Sequence, residues 1–541
     1  MPLLFLESMN DEPIIKQKGI TAPLRGPVGA AGPQMSKVNS NTSGRPGLEH
    51  SNTGSSATTL NTVQSNDQEG KILYPFKIKH LGHEVYTLYA SSARDRMEWC
   101  TKIVEAKTMH AKALYSQNAE PFRLRVLADA SFHYDGASPL GKTIAVPVKG
   151  TPLDRAIQTL EDVLGSAQGV APVCRAQVNC AAGFSAFGKA VIAVGTDYGV
   201  FIADPSNPRG WTRSVQATKV TQIAVLEEFN ICLLIADKNL VSYPLDVVAP
   251  ISEFAPPNND TARRAPRKLA KDVTYFATAK MKERTLVFYK RKEGLHTSFK
   301  VLEPLYHKAT EKKSRLFGGK KSASGSTDTF RDFDEFFFPV ECYSLSIFQT
   351  YIAVATAKGV EMLTLDKKQP MSIPDLKAPA IANIASRIRD QRPLGMFRLN
   401  ENEFVLAYED CAVYVDKHGE VSRTLIMEYT GKQKKARGAA MYGQYLLLFN
   451  EDYVEVRNAD NGRLRQIIAG RDVRVIDYGI RGPTGGNAVQ AQSTHGQNGH
   501  LVNAGEVTKE TVKIAMSHPE LAGRQIILEM LVNDGHVENI N

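Results

Sequence analysis

Six copies of one short pattern run through the second half of the chain. Each copy is a run of alternating or continuous apolar residues, a tight polar turn, and a second such run. They read AVIAVGTDYGVFIAD (190–204), FNICLLIADKNLVSYPLD (229–246), VTYFATAKMKERTLVFYKR (273–291), TYIAVATAKGVEMLTLD (350–366), NEFVLAYEDCAVYVDKHGE (402–420) and GQYLLLFNEDYVEVRNADNGR (443–463). Runs of this kind predict strands joined by hairpins. With turn centres near 197, 237, 282, 357, 409 and 451, the steps are 40, 45, 75, 52 and 42 residues. Three of the five fit a four-stranded propeller blade, in which each sheet buries its apolar faces only by stacking on its neighbours. The long step holds the charged, glycine-rich stretch 308–329, read as a loop insertion. The expectation is a mainly β chain with a seven-bladed β-propeller. Its last blade is closed by strands from both ends, VKIAM (512–516) and QIILEMLV (525–532) being the C-terminal candidates. Closure removes free sheet edges.

The first part of the chain is patterned differently. Residues 21–70 are rich in Gly, Pro, Ser, Asn and Thr with little apolar periodicity, and are expected to be disordered. PFKIKHL (75–81) and EVYTLYA (84–90) read as two strands around Gly82-His83. A helix follows, capped by Ser91 or Ser92, with Met97, Cys100, Ile103 and Val104 on one side and Trp99 one turn before Ile103. A second amphipathic helix is predicted over 151–165. Thr151 is its N-cap, Pro152 its first residue, and Leu153, Ile157, Leu160 and Leu164 form one stripe. Between the helices, FRLRVLADASFHYD (122–135) has strand character.

Composition narrows the classes. The chain has 541 residues, enough for two or three domains, and its 43% hydrophobic content is ordinary for a folded protein. Its longest apolar runs fall short of the roughly 20 residues that cross a bilayer, and MPLLFL lacks the features of a secretory leader. An intracellular, soluble chain is therefore expected. The six cysteines include no C-x-x-C pair, and several sit in strand patterns as small hydrophobes. The net charge is +9, concentrated in RRAPRKLAK (263–271), EKKSRLFGGKK (311–321) and KQKKAR (432–437). Such runs suit anionic surfaces, but without interleaved aromatic residues they do not make a nucleic-acid site.

Searches for catalytic motifs fail in turn. GGKKS (318–322) lacks the first glycine of a phosphate loop at 314 and has Lys321 where a hydroxyl should hold magnesium. RGPTGGN (481–487) has no lysine and no following helix. There is no H-E-x-x-H and no G-x-S-x-G, and Ile388-Arg389-Asp390 lacks the asparagine of a kinase catalytic loop. The acidic cluster Asp332, Asp334 and Glu335 before Phe336–Pro339 is read as an exposed turn entering a buried strand. No cofactor, metal or small-molecule substrate is implied. Only Trp99 and Trp211 occur, so the Trp-Asp blade signature is missing.

GTDYGVFIAD (195–204), VTQIAVLEEFNICLLIADKNLVSYPLD (220–246), FFFPVECYSLSIFQTYIAVATAKGVEMLTLD (336–366) and YGQYLLLFNEDYVEVRNADNGRLRQIIAGRDVRVIDYG (442–479) resemble the citron homology (CNH) domain. The wording is nearest the form that ends fungal guanine-nucleotide exchange factors for Rho-type GTPases. The resemblance implies a citron homology propeller over 170–535 and a linker with a strand and a helix over 109–169. Residues 71–108 look like the C-terminal half of a pleckstrin-homology domain. Residues 1–20 look like one of its strands, and 21–70 like an insert.

In that family exchange is catalysed by a separate helical domain of the Dbl type, which nothing here matches. The early pleckstrin strands, whose basic loop grips phosphoinositide, are not found either. A half barrel should leave an apolar face uncovered around Val85, Leu88 and Trp99. The expected function is thus the regulatory, protein-binding portion of a Rho exchange factor in cell-wall-integrity signalling. It would be non-catalytic and cytoplasmic, with peripheral recruitment to the plasma-membrane cortex. Its expected partner is a Rho-type GTPase or an upstream membrane sensor, with no nucleic acid bound. Candidate contacts are Arg463, Arg465, Arg471 and Arg474, together with Lys312, Lys313 and Arg315. Alternation would put Arg463 and Arg465 on one strand face, opposite Leu464. The alternative is a peripheral membrane adaptor holding anionic lipid through its basic loops.

Overall fold

The computed structural model describes residues 4–16, 71–81, 85–116, 119–129, 152, 155, 173–250, 265–294, 296–306, 329–431, 434–479, 511–519 and 523–533. Two compact units divide it, residues 1–117 and 118–541. The insertion over 308–329 falls, but for its last residue, outside the described residues. So does the helix expected over 151–165, apart from the helical Pro152 and Arg155.

In the first unit, strands Leu4–Ser8 and Ile14–Lys16 both pair antiparallel with one long strand, Lys71–His80. The other edge of that strand takes Val85–Ala90. The helix Ala93–Ser116 starts where Ser92 Oγ accepts the Asp95 amide at 3.0 Å, satisfying one of the donors a helix start leaves free. It covers one sheet face through Phe76, Ala90 and Cys100, with Leu6, Tyr74, Ile78 and Ile103 half-buried around them. Much of the rest is open to water. Val85, Leu88 and Trp99 are 44%, 43% and 61% exposed, as the half-covered sheet predicts.

The second unit is a β-propeller. Its described residues form seven four-stranded antiparallel sheets, numbered here in the order in which their innermost strands occur. Those strands are Val178–Ala186, Val220–Leu226, Val273–Met281, Cys342–Ile347, Pro393–Arg398, Gly438–Tyr442 and Arg474–Asp477. Second strands such as Ile231–Ala236, Ile352–Thr356 and Tyr445–Phe449 are buried nearly throughout, because neighbouring sheets cover both of their faces. This is why they read as continuous apolar runs. Outer strands such as Arg267–Ala270, Met371–Ile373 and Met427–Glu428 are short and largely exposed, and carry little periodic signal. Phe330–Phe338 differs, and it corrects one expectation. Asp332, Asp334 and Glu335 lie inside this outer strand and not in a turn before it, while Phe330, Phe336 and Phe338 point into the core. Asp334 and Glu335 pair with Lys368 and Lys300.

Six of the seven inner strands carry a register shift, five of them near their start. It falls between Val178 and Cys180, Val220 and Gln222, Val273 and Tyr275, Cys342 and Ser344, Pro393 and Gly395, and Val475 and Asp477. A bulge bends a strand and re-aims one side chain.

Sheet seven is assembled from distant parts of the chain. Arg474–Asp477, Val512–Ser517 and Gln525–Val532 are joined by Phe122–Asp129, a strand that its sequence position suggests is a linker. The pairing is held by charge. Arg125 Nε donates to Glu529 Oε2 at 2.8 Å, and Glu529 is fully buried. Thr511 Oγ1 donates to the same carboxylate. Lys513, also fully buried, meets Asp477 at 2.8 Å.

Arg125 is partly exposed but Glu529 is fully buried, and removing the partner of a buried charge is costly because that charge stays buried without compensation. Arg125→Met is therefore expected to lower unfolding stability by about 3 kcal/mol. Adding Glu529→Gln to that variant should restore part of the loss. Urea unfolding measures both, and a loss under about 1 kcal/mol for the single variant would contradict the role given to Arg125.

Candidate functional site

The four arginines named from the sequence do not form one stripe. Arg463 is exposed just before the outer strand Leu464–Ala469 of sheet six, its amide donating to Asn461 Oδ1 at 3.0 Å. Arg471 is exposed beyond the other end of that strand, whose six residues span about 20 Å at 3.3 Å per residue. Arg465 corrects the alternation argument. The register shifts so that Leu464 faces Arg457 and Gln466 faces Val456, leaving Arg465 as the extra, half-buried residue. Arg474 is spent within the ring, donating to Val178 O at 2.8 Å and Gln525 Oε1 at 2.7 Å. Burial holds its pKa below the ordinary value. Lys312, Lys313 and Arg315 lie outside the described residues.

The basic run 432–437 is largely neutralised where it is described. Lys434 pairs with Asp452 at 2.9 Å, Lys435 with Glu409 at 3.0 Å and Arg437 with Glu451 at 2.8 Å. The cysteines are all free and buried. Burial pushes the Cys232 and Cys411 thiols up to about 12 and Cys342 up to about 11, which disfavours the nucleophilic thiolate. Among the described residues, no group of three or more His, Cys, Asp and Glu is placed to hold a metal.

What the structure does bring together are clamps between sheets. Arg423 reaches Glu403 at 2.6 Å and, in sheet six, Asp460 at 2.9 Å, with its guanidinium 4.2 Å from the centroid of the Tyr414 ring. Arg387 ties the helix Ala382–Ile388 to sheet five alone, holding Glu428 and Asp410, each at 2.8 Å. A different cluster joins sheets three, four and five: Lys290 and Arg392 both converge on Tyr343. No sequence signal points to these groups, since their members are tens of residues apart and lie in unrelated local patterns.

The Arg423 guanidinium, aided by hydrogen bonds from Ser422 and Asn400, lowers the Glu403 carboxyl from 4.5 to about 2. A carboxyl whose folded pKa is depressed stabilises above its unfolded value, and that contribution fades as pH falls through the folded one. Glu403→Gln is expected to lose about 1 kcal/mol at pH 7, a modest figure because solvent screens the pair. The gap to the unmodified chain should narrow below about pH 4.5 and close near 2. Urea midpoints at pH 7 and pH 3 test this, and an equal gap at both would contradict it.

Comparisons with known proteins bear on what these surfaces serve. A family model described as CNH domain matches residues 188–479, more than half of the chain. Rho1 guanine nucleotide exchange factor 3 of Schizosaccharomyces pombe is 30% identical over 443 residues, covering 76% of this chain and 33% of that protein. Rho1 guanine nucleotide exchange factor 1 of the same organism is 28% identical, covering 56% of this chain and 22% of that one. RHO1 GDP-GTP exchange protein 2 of Saccharomyces cerevisiae is 25% identical, covering 48% and 18%. The chain thus spans a third or less of the length of these relatives. A solved structure described as the AfRom2 CNH domain aligns with a TM-score of 0.49 and 22% identity, over 66% of this chain and 96% of that one.

Proposed function

This chain belongs to the CNH domain family, and we propose that it is the regulatory, protein-binding portion of a Rho exchange factor in cell-wall-integrity signalling. It docks a Rho-type GTPase, or a membrane sensor upstream of one, and does not itself exchange nucleotide. On this reading the chain works in the cytoplasm and is recruited peripherally to the plasma-membrane cortex. The observation that carries the reading is a division of labour within the ring. The half-buried Arg474 ties the last sheet to the first, and the buried Lys513 and Glu529 hold strands of sheet seven together. Arg463 and Arg471 stand exposed at the ends of an outer strand, where a partner can reach them. A rigid ring with saturated junctions serves as a platform, adding contact area and effective concentration to any exchange domain tethered to it. The names of the relatives, all Rho1 exchange factors, point to the kind of GTPase it meets. The pairing of Lys434, Lys435 and Arg437 with carboxylates removes one basic run from an electrostatic hold on anionic lipid, the alternative reading, which would rest on 263–271 and 311–321.

Two assays on the purified chain test the proposal. The chain should capture a Rho-type GTPase in a pull-down, and Arg463→Glu should weaken capture about fivefold, as expected for one exposed charge at a contact rim. GDP release from that GTPase should stay within about twofold of its intrinsic rate, far below the acceleration that transition-state stabilisation produces. Strong acceleration of release by this chain alone would overturn the non-catalytic assignment, and failure to capture any Rho-type GTPase or sensor would overturn the platform.

A further inference from the structure

Lys290 and Arg392 are cations that the carboxylate clamps do not engage and the proposed docking role does not use. Lys290 lies on strand Arg284–Glu293 of sheet three, and its ammonium donates to the carbonyls of Cys342 at 2.9 Å and Tyr343 at 3.4 Å. Arg392 immediately precedes the inner strand of sheet five, and its guanidinium lies 4.4 Å from the centroid of the Tyr343 ring. Tyr343 is the extra residue at the bulge between Cys342 and Ser344 in sheet four. The bulge releases its carbonyl toward one cation and re-aims its ring under the other. Three sheets therefore bring two positive charges onto one residue.

Arg423, Arg387, Lys434, Lys435 and Arg437 each sit on one or more carboxylates. Lys290 and Arg392 have no carboxylate within ion-pair distance among the described residues. A half-buried ammonium held by two carbonyls and, at 5.7 Å, the face of the Tyr275 ring, with no carboxylate to offset its charge, is a poor arrangement for stability alone. Burial lowers the proton affinity of Lys290; Arg392 adds to the effect, while Glu341 opposes it at longer range.

We propose that Lys290, Tyr343 and Arg392 form a binding site for the phosphate group of a soluble ligand. Two cations match the two charges of a phosphate monoester. A guanidinium lying against an aromatic ring has its orientation restricted, which favours paired N–H bonds to a tetrahedral oxyanion. Lys290 has three N–H donors and two carbonyl partners, so one donor remains for the ligand. This site is independent of the GTPase-docking reading, and either can fail alone.

The test is calorimetric titration of the whole purified chain with inorganic phosphate, against chloride at matched ionic strength. Saturable binding is expected, weakened about tenfold or more by Arg392→Gln and by Lys290→Met, the loss of one charged hydrogen bond. Arg463→Gln, far from the site in sequence and on another sheet, should bind as the unmodified chain does. Arg392 is exposed, so its variant should fold, and a matching thermal melt would verify that. No saturable binding by the unmodified chain overturns the proposal. Equal affinity in Arg392→Gln overturns it too, as an adventitious ion only. Sedimentation with phosphoinositide vesicles separates the sources. Vesicle binding lost in Arg392→Gln, with no response to inorganic phosphate, would assign the site to a lipid headgroup and overturn the soluble ligand.

Discussion

Everything in the second unit depends on seven sheets meeting in a closed ring, and each meeting is stitched by a side chain bonded to a neighbour's backbone. Asn179 donates to Val220 O, Gln222 Oε1 accepts from the Phe276 amide, and the Tyr275 hydroxyl accepts from the Leu345 amide. Ser346 Oγ accepts from the Met396 amide, and Tyr414 donates to Ala459 O. Gln466 bonds both the amide and the carbonyl of Phe122, and Arg474 returns from the last sheet to Val178 of the first. Apolar stacking supplies the driving force but no register. These bonds supply register, because a slip of one residue would leave buried polar groups unpaired.

The last junction is the demanding one. Arg125 and Glu529 are 404 residues apart in the chain, and the strand that carries Arg125 must find the outer edge of a sheet begun at the other end. Contacts of such separation carry a large loop-closure entropy. A buried carboxylate that accepts from both Arg125 and Thr511 gives that docking one preferred register, the best-attested use of charges in a core.

Arg474 and the 434–437 run are engaged with other groups of the second unit, and the structure gives them an architectural role. On the proposed reading, recognition falls to Arg463 and Arg471, exposed at the ends of a strand, and to the pair of cations on Tyr343. The first unit shows the opposite condition. Among its described residues, the helix Ala93–Ser116 covers only part of the sheet, so Val85 and Leu88 stay exposed, as does Trp99 on the helix itself, and apolar surface of that kind is ordinarily spoken for by another surface.

Strand pairs such as Ile352–Thr356 with Gly359–Leu363 were legible along the chain because side-chain alternation and turn chemistry are properties of residues a few positions apart. The resemblance carried by the same stretches was legible for the same reason. The short outer strands were not, since two to four half-exposed residues have no period to read. Nor was the bulge that spoils the alternation of Arg463 and Arg465, because a register shift is set by the partner strand. The sequence by itself determined the β architecture, the repeat and the family. Only the tertiary structure decided that Phe122–Asp129 completes sheet seven, that Arg474 faces inward, and that Lys290, Tyr343 and Arg392 meet. Those outcomes depend on which surfaces stack when the ring closes, and no local pattern encodes a contact between strands from different sheets.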